Sequence, residues 1–194
     1  MKPFNPLLII LFLFVVGQVF GQTNYTLSPN YKFTILGGSN LHDWTETASK
    51  VSGNSAVNWN SDGSLELNAL KIVLDARSLR STEGSIMNSK TYKALNTDKN
   101  PTIQLRLTAP LKAIPANANG YIVRASGDLT IAGVTRAVTL NVKVFVYGHD
   151  KIVFEGTEPI KMSDYHIDQI TALFGMLKVS DDVKIQFNTT FSHN

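Results

Sequence analysis

The sequence predicts an all-β protein, an antiparallel eight-stranded β-barrel carrying one short helix, and three observations predict it. Alternating apolar runs recur along the chain, most clearly Leu129/Ile131 and Val138/Leu140/Val142/Val144/Val146 on either side of a turn at Gly133, the pattern of a half-buried hairpin. Turn-forming clusters separate these runs, and only residues 81–95 exchange period two for a helical spacing. About eight strands result, and eight tilted strands can close into a barrel without an open edge. A two-sheet sandwich satisfies the same strand count.

Residues 31–36 (YKFTIL) read as a strand that Gly37, Gly38 and Ser39 break, and a Ser/Thr-rich strand follows, running to Trp59. Asn60-Ser61-Asp62-Gly63 is a hairpin turn,. After it, Leu65, Leu67 and Ala69 occupy one phase and Leu70, Ile72 and Leu74 the other, a switch that marks a β-bulge. Within 81–95, Ile86, Met87, Tyr92 and Leu95 stand at roughly helical spacing, as in a short amphipathic helix, with Thr82 or Ser85 as the candidate cap,. Ile103, Leu105 and Leu107 then define a dry face, and Tyr121, Val123 and Ala125 carry that phase into Gly127, Leu129 and Ile131,. Beyond the central hairpin, residues 147–150 turn the chain into a strand with Ile152 and Phe154, which residues 156–159 interrupt. Residues 163–175 are irregular, and in 182–191 Val183, Ile185, Phe187 and Phe191 alternate with polar side chains.

The N-terminus carries Lys2, an apolar run over residues 7–16 and then small and polar residues, the layout of a secretory signal peptide. Ten apolar residues would span only about half of a ~30 Å hydrocarbon core as a helix. Cleavage after Gly21, with a cut after Gly17 as the weaker site, makes residues 1–21 the leader and 22–194 a single domain, periplasmic or secreted. The chain contains no cysteine, so it has no thiol to receive a lipid and no disulfide framework. The net charge of +3 comes from scattered Lys and Arg rather than a basic run, which gives no footprint for nucleic acid.

Two groups of residues could carry chemistry: His42-Asp43, and His166 with Asp164 and Asp168. Neither has the spacing of a metal-ligand set, and no serine stands in a nucleophile-elbow context, so no metal, cofactor or catalytic residue is assigned and the chain reads as a non-enzyme. His42 reads instead as a residue that hydrogen-bonds a turn, with Trp44 packed beside it.

Several separated blocks resemble the YceI-like family of polyisoprenoid-binding proteins. They are 39–44 (SNLHDW), 87–95 (MNSKTYKAL) with 100–103 (NPTI), the hairpin 127–140, 161–165 (KMSDY) and 172–183 (ALFGMLKVSDDV). The family's closing segment often carries a Pro-Pro pair where this chain has residues 168–171 (DQIT). The resemblance implies an exported, extended lipocalin-like barrel whose lumen holds a polyisoprenoid or other long-chain lipid, with a homodimer left open. In such a barrel the apolar phases converge inward, so the expected lumen residues are Leu105 and Leu107, Val123, Leu129 and Ile131, then Leu140, Val142 and Val144, and Phe187,. The alternative function is a structural or stress-related interaction module that uses the barrel as a scaffold without ligand.

Overall fold

The structure, a computed structural model, describes residues 21–172, 174 and 176–193. The leader assigned to residues 1–21 therefore lies, apart from Gly21, outside the described residues. The chain opens with β1 (Thr23–Ser39), β2 (Asp43–Ala48), β3 (Val51–Trp59) and β4 (Leu65–Asp75). A 3-10 turn leads into β5 (Leu79–Ser81), helix α1 (Ser85–Ala94), β6 (Thr102–Leu107) and β7 (Leu111–Ile114). The central hairpin is β8 (Tyr121–Ile131) and β9 (Val134–Tyr147), followed by β10 (Lys151–Lys161), β11 (Thr171–Ala172) and β12 (Leu177–Ser192).

Eight of these strands close a barrel in the order β1, β3, β4, β6, β8, β9, β10 and β12, with β12 pairing back onto β1 from Ser192 opposite Thr26 to Val179 opposite Ser39. The short strands β2, β5, β7 and β11 extend its rim. The expected bulge is present: Ala56 and Val57 of β3 face Ala69 and Leu67 of β4, so Asn68 is the extra residue. Inserting one residue exchanges the inward and outward faces of β4 and bends the strand around the barrel.

Several boundaries differ from the sequence reading. Glycines 37 and 38 do not break β1; a Cβ on Gly37 would lie 2.2 Å from the Trp44 ring, so glycine lets that indole lie flat on the strand. The polar strand expected up to Trp59 is two strands, divided at Ser49 and Lys50, whose backbone bonds to Ser78. Helix α1 begins one residue after Gly84, and neither Thr82 nor Ser85 caps it. Ile86 is not on its buried stripe but 76% exposed, whereas Met87 and Leu95 are buried. Residues 156–159 do not interrupt β10, which stays paired to β12 throughout.

Both ends of the barrel are filled. At one end Tyr25, Val57, Leu65, Ile114, Ile152 and Phe191 are fully buried, and Trp59 stacks on His149 at 4.0 Å while its indole donates to the Tyr25 hydroxyl. Leu79, Ile131, Tyr165 and Val179 are buried at the other.

Beneath α1, Glu46 is buried, and Thr91 of the helix donates a hydrogen bond to its Oε1 at 2.6 Å. Burial pushes the Glu46 carboxyl up, and the bond from Thr91 opposes this only in part. A folded pKa above the unfolded one means the folded state holds the proton more tightly, so stability falls as pH rises through the interval between the two. Glu46→Gln keeps an acceptor for Thr91 without the charge. It is expected to raise the Tm by about 2–4 °C at about pH 8, the equivalent of ~1 kcal/mol, and to make the Tm less dependent on pH down to about pH 4. Thermal melts across that range check it.

Candidate functional site

Between the two filled ends the barrel encloses a cavity of about 110 Å³. The wall is drawn from β1, β4, β6, β7, β8, β9, β10 and β12, and among the described residues only Ser126, Glu158 and Thr189 on it carry polar side chains. The Thr189 hydroxyl already donates to the Phe154 carbonyl at 3.3 Å. The site therefore offers apolar surface with one ionisable group.

Seven of the nine expected lumen residues stand on this wall: Leu105, Leu107, Val123, Leu129, Leu140, Val142 and Phe187. Ile131 and Val144 do not. Both are buried, but Ile131 adjoins the β8–β9 turn and Val144 lies three residues from the far end of β9, where side chains close the bore. Period-two alternation shows which way a residue points but not its depth along the axis, so it could not separate these two from the rest.

Other wall residues were not singled out from sequence. Ile72, Leu74 and Leu70 of β4 are among them, brought to the same wall by the bulge. Gly156 of β10 allows Phe187 to lie across it, since a Cβ there would be 2.5 Å from the ring. Phe187 also stacks on Phe33 at 6.4 Å. Glu158 was missed because residues 156–159 read as an interruption. Counting in twos from Ile152 through Phe154 and Gly156 arrives at Glu158, and that count was the available signal.

The barrel wall parts at two places along the cavity. β6 pairs β8 only from Gln104 to Leu107, and β7, which continues that edge, pairs β4 and not β8. The half-exposed Leu107, Leu111 and Val123 and the exposed Ser126 gather at this gap. On the other side β9 and β10 separate after the Val142–Gly156 pair, and the turn 162–165 fills in below, with the Arg136 Nε donating to the Asp164 carbonyl at 2.8 Å. Lateral gaps matter because both axial ends are filled: a chain-like molecule would reach the cavity through the wall rather than along the axis.

His42 has a different role from the one expected. The turn is held by the His42 backbone carbonyl, which accepts from the Ser39 nitrogen at 2.9 Å and the Ser39 hydroxyl at 2.8 Å. Its exposed imidazole lies 3.4 Å from the Glu83 carboxylate, so replacing the side chain leaves the turn bonds in place. Trp44 is buried against Gly37 of β1, its indole donating to the Gly38 carbonyl. His166 is exposed and ends the 3-10 turn in a left-handed conformation. Among the described residues no three His, Asp or Glu side chains converge.

A family model described as YceI-like domain matches residues 25–191. UPF0312 proteins of Pseudomonas paraeruginosa and Pseudomonas aeruginosa are each 35% identical over 78 residues, which is 38% of this chain. The chain spans 38% of the length of those curated relatives. Among solved structures, a polyisoprenoid binding domain from Saccharophagus degradans, implicated in plant cell wall breakdown, matches with a TM-score of 0.70 at 17% identity, covering 88% of this chain and 98% of that one. Burkholderia cenocepacia BcnA matches with a TM-score of 0.61 at 21% identity, covering 82% and 95%. The Campylobacter jejuni YCEI protein matches at 0.59 and 18%, covering 77% and 84%. At these identities the structural likeness is one of fold.

Proposed function

The chain belongs to the YceI-like domain family, and from that premise we propose that it is an exported, non-enzymatic binding protein for a polyisoprenoid or other long-chain amphiphilic lipid. The observation that carries this reading is the cavity wall, built of Leu, Ile, Val and Phe with so few polar side chains. Each Å² of tail removed from water there contributes roughly 25 cal/mol, so about 300 Å² contributes roughly 7–8 kcal/mol before the ordering of the tail is subtracted. No specific hydrogen bond is needed for binding of that strength. The polyisoprenoid binding domain of Saccharophagus degradans, which shares the fold, supports the choice of ligand class.

The cavity holds a segment rather than a whole long tail. By the measure in which one water needs roughly 10–15 Å³, its about 110 Å³ is room for roughly seven to eleven water-sized units,. The remainder of a longer tail would emerge through the gap beside Leu107, Leu111 and Val123, or spread the wall.

Native mass spectrometry of the protein purified from its own extracytoplasmic compartment tests both parts of the proposal. The expected spectrum shows a polypeptide beginning at Gln22 with a long-chain amphiphile that dissociates on activation. A lipid-free protein that also takes up no added prenyl alcohol would overturn the binding role. A mass retaining residues 1–21 would overturn export by a cleaved leader.

A further inference from the structure

Among the described residues, Glu158 is the one ionisable residue on the cavity wall. It lies on β10 opposite Ile185 of β12, two residues past the pair at which β9 and β10 part. Among the described residues no ion pair or hydrogen bond engages its carboxyl, and burial alone acts on its pKa, raising it. Charged and titratable groups stand nearby on three elements: Tyr165, which senses both Glu158 and Asp164, on the neighbouring turn, Arg136, which acts on Tyr165, on β9, and Lys184, opposite Pro159, on β12.

Glu158 is half-buried, so a purely hydrocarbon ligand laid against it would strip water from an unpartnered carboxyl, which is unfavourable,. A ligand bearing a hydrogen-bond donor would satisfy it. A phosphorylated ligand would place negative charge beside a half-buried carboxylate, and like charges repel,. The opposite gap offers a polar head much less, since its wall supplies only the Ser126 side chain, and the Ser126 carbonyl already accepts from the Thr108 nitrogen at 3.0 Å.

We propose that Glu158 selects the polar head of the ligand, accepting an uncharged hydrogen-bond donor such as an alcohol, phenol or amide at the β9–β10 gap and rejecting a phosphorylated head. The tail then runs through the cavity toward Leu107, Leu111 and Val123. This selection rests on the reading of the cavity as a lipid site.

The test is competition between farnesol and farnesyl diphosphate for the lipid-stripped mature protein, read by native mass spectrometry, in the wild type and in Glu158→Gln. The wild type is expected to favour farnesol by about tenfold or more. Glu158→Gln should reduce that preference by about tenfold, chiefly by strengthening the binding of farnesyl diphosphate. Equal binding of the two probes by the wild type, or a preference unchanged in the variant, overturns the role of Glu158 and leaves the lipid site standing. If neither probe binds the wild type, the lipid site itself fails and head selection fails with it.

Discussion

With Phe191 replaced by alanine, the protein is expected to lose about 3–5 kcal/mol of unfolding free energy and to melt roughly 6–20 °C lower. Phe191 is fully buried in one filled end of the barrel and meets the Phe154 ring edge-on, with centroids 5.6 Å apart at 83°. Its ring also lies over Gly53, where a Cβ would come within 3.1 Å. Leu27 of β1 and Ile152 of β10 pair with it on either side, so it stands at the seam where β12 closes the barrel. Backbone pairing on both sides prevents the neighbours from collapsing into the space left by the ring, which places the loss in the upper part of the range for large-to-small changes. Thermal and denaturant unfolding measure it, and a Tm within about 3 °C of the wild type would mean that this end is not rigidly filled.

A paired substitution on one strand should give opposite results. Val142 and Val144 both point inward from β9, but Val142 stands on the cavity wall opposite Val123 and Gly156, whereas Val144 is fully buried off it. Val142→Phe can place its ring in the cavity. It is expected to weaken prenyl alcohol binding by about tenfold or more and to change stability by less than about 1 kcal/mol. Val144→Phe has no free space to enter and should cost about 1–3 kcal/mol through overpacking, a Tm lower by roughly 2–12 °C. Binding assays and thermal melts on the two variants check both. Similar stability losses at the two positions would mean that the cavity wall does not yield to an added ring, and unchanged binding by Val142→Phe would place the ligand elsewhere.

The outcomes at these positions show how far the sequence could be read. The alternation that put Val142 and Val144 on one face was sound, and so were the hairpin at Gly133, the turn at residues 60–63 and the bulge in β4. Strand ends were less legible. Glycines 37 and 38 and residues 156–159 looked like breaks, yet both stretches stay extended because an aromatic ring from elsewhere, Trp44 or Phe187, packs on the bare backbone. Ile86 looked like part of a buried stripe, but α1 is held through Met87, Leu95 and the Thr91–Glu46 bond instead. The His42 imidazole looked like the anchor of a turn that its own backbone carbonyl holds.

By itself the sequence determined that this chain is built of antiparallel strands around an apolar interior, because the period of two is a local property of extended backbone and needs no knowledge of the partner strands. That the strands close into a barrel rather than a sandwich was decided by the pairing of β12 with β1. The tertiary structure alone decided where that interior is empty. Depth along the barrel axis depends on register between strands far apart in the chain, which sets Val142 beside a cavity and Val144 in a filled end. Register also decided where the wall parts, since β9 and β10 stop pairing at Val142 and Gly156, and that parting brings Glu158, a single acid unremarked in the sequence, to the edge of an otherwise apolar cavity.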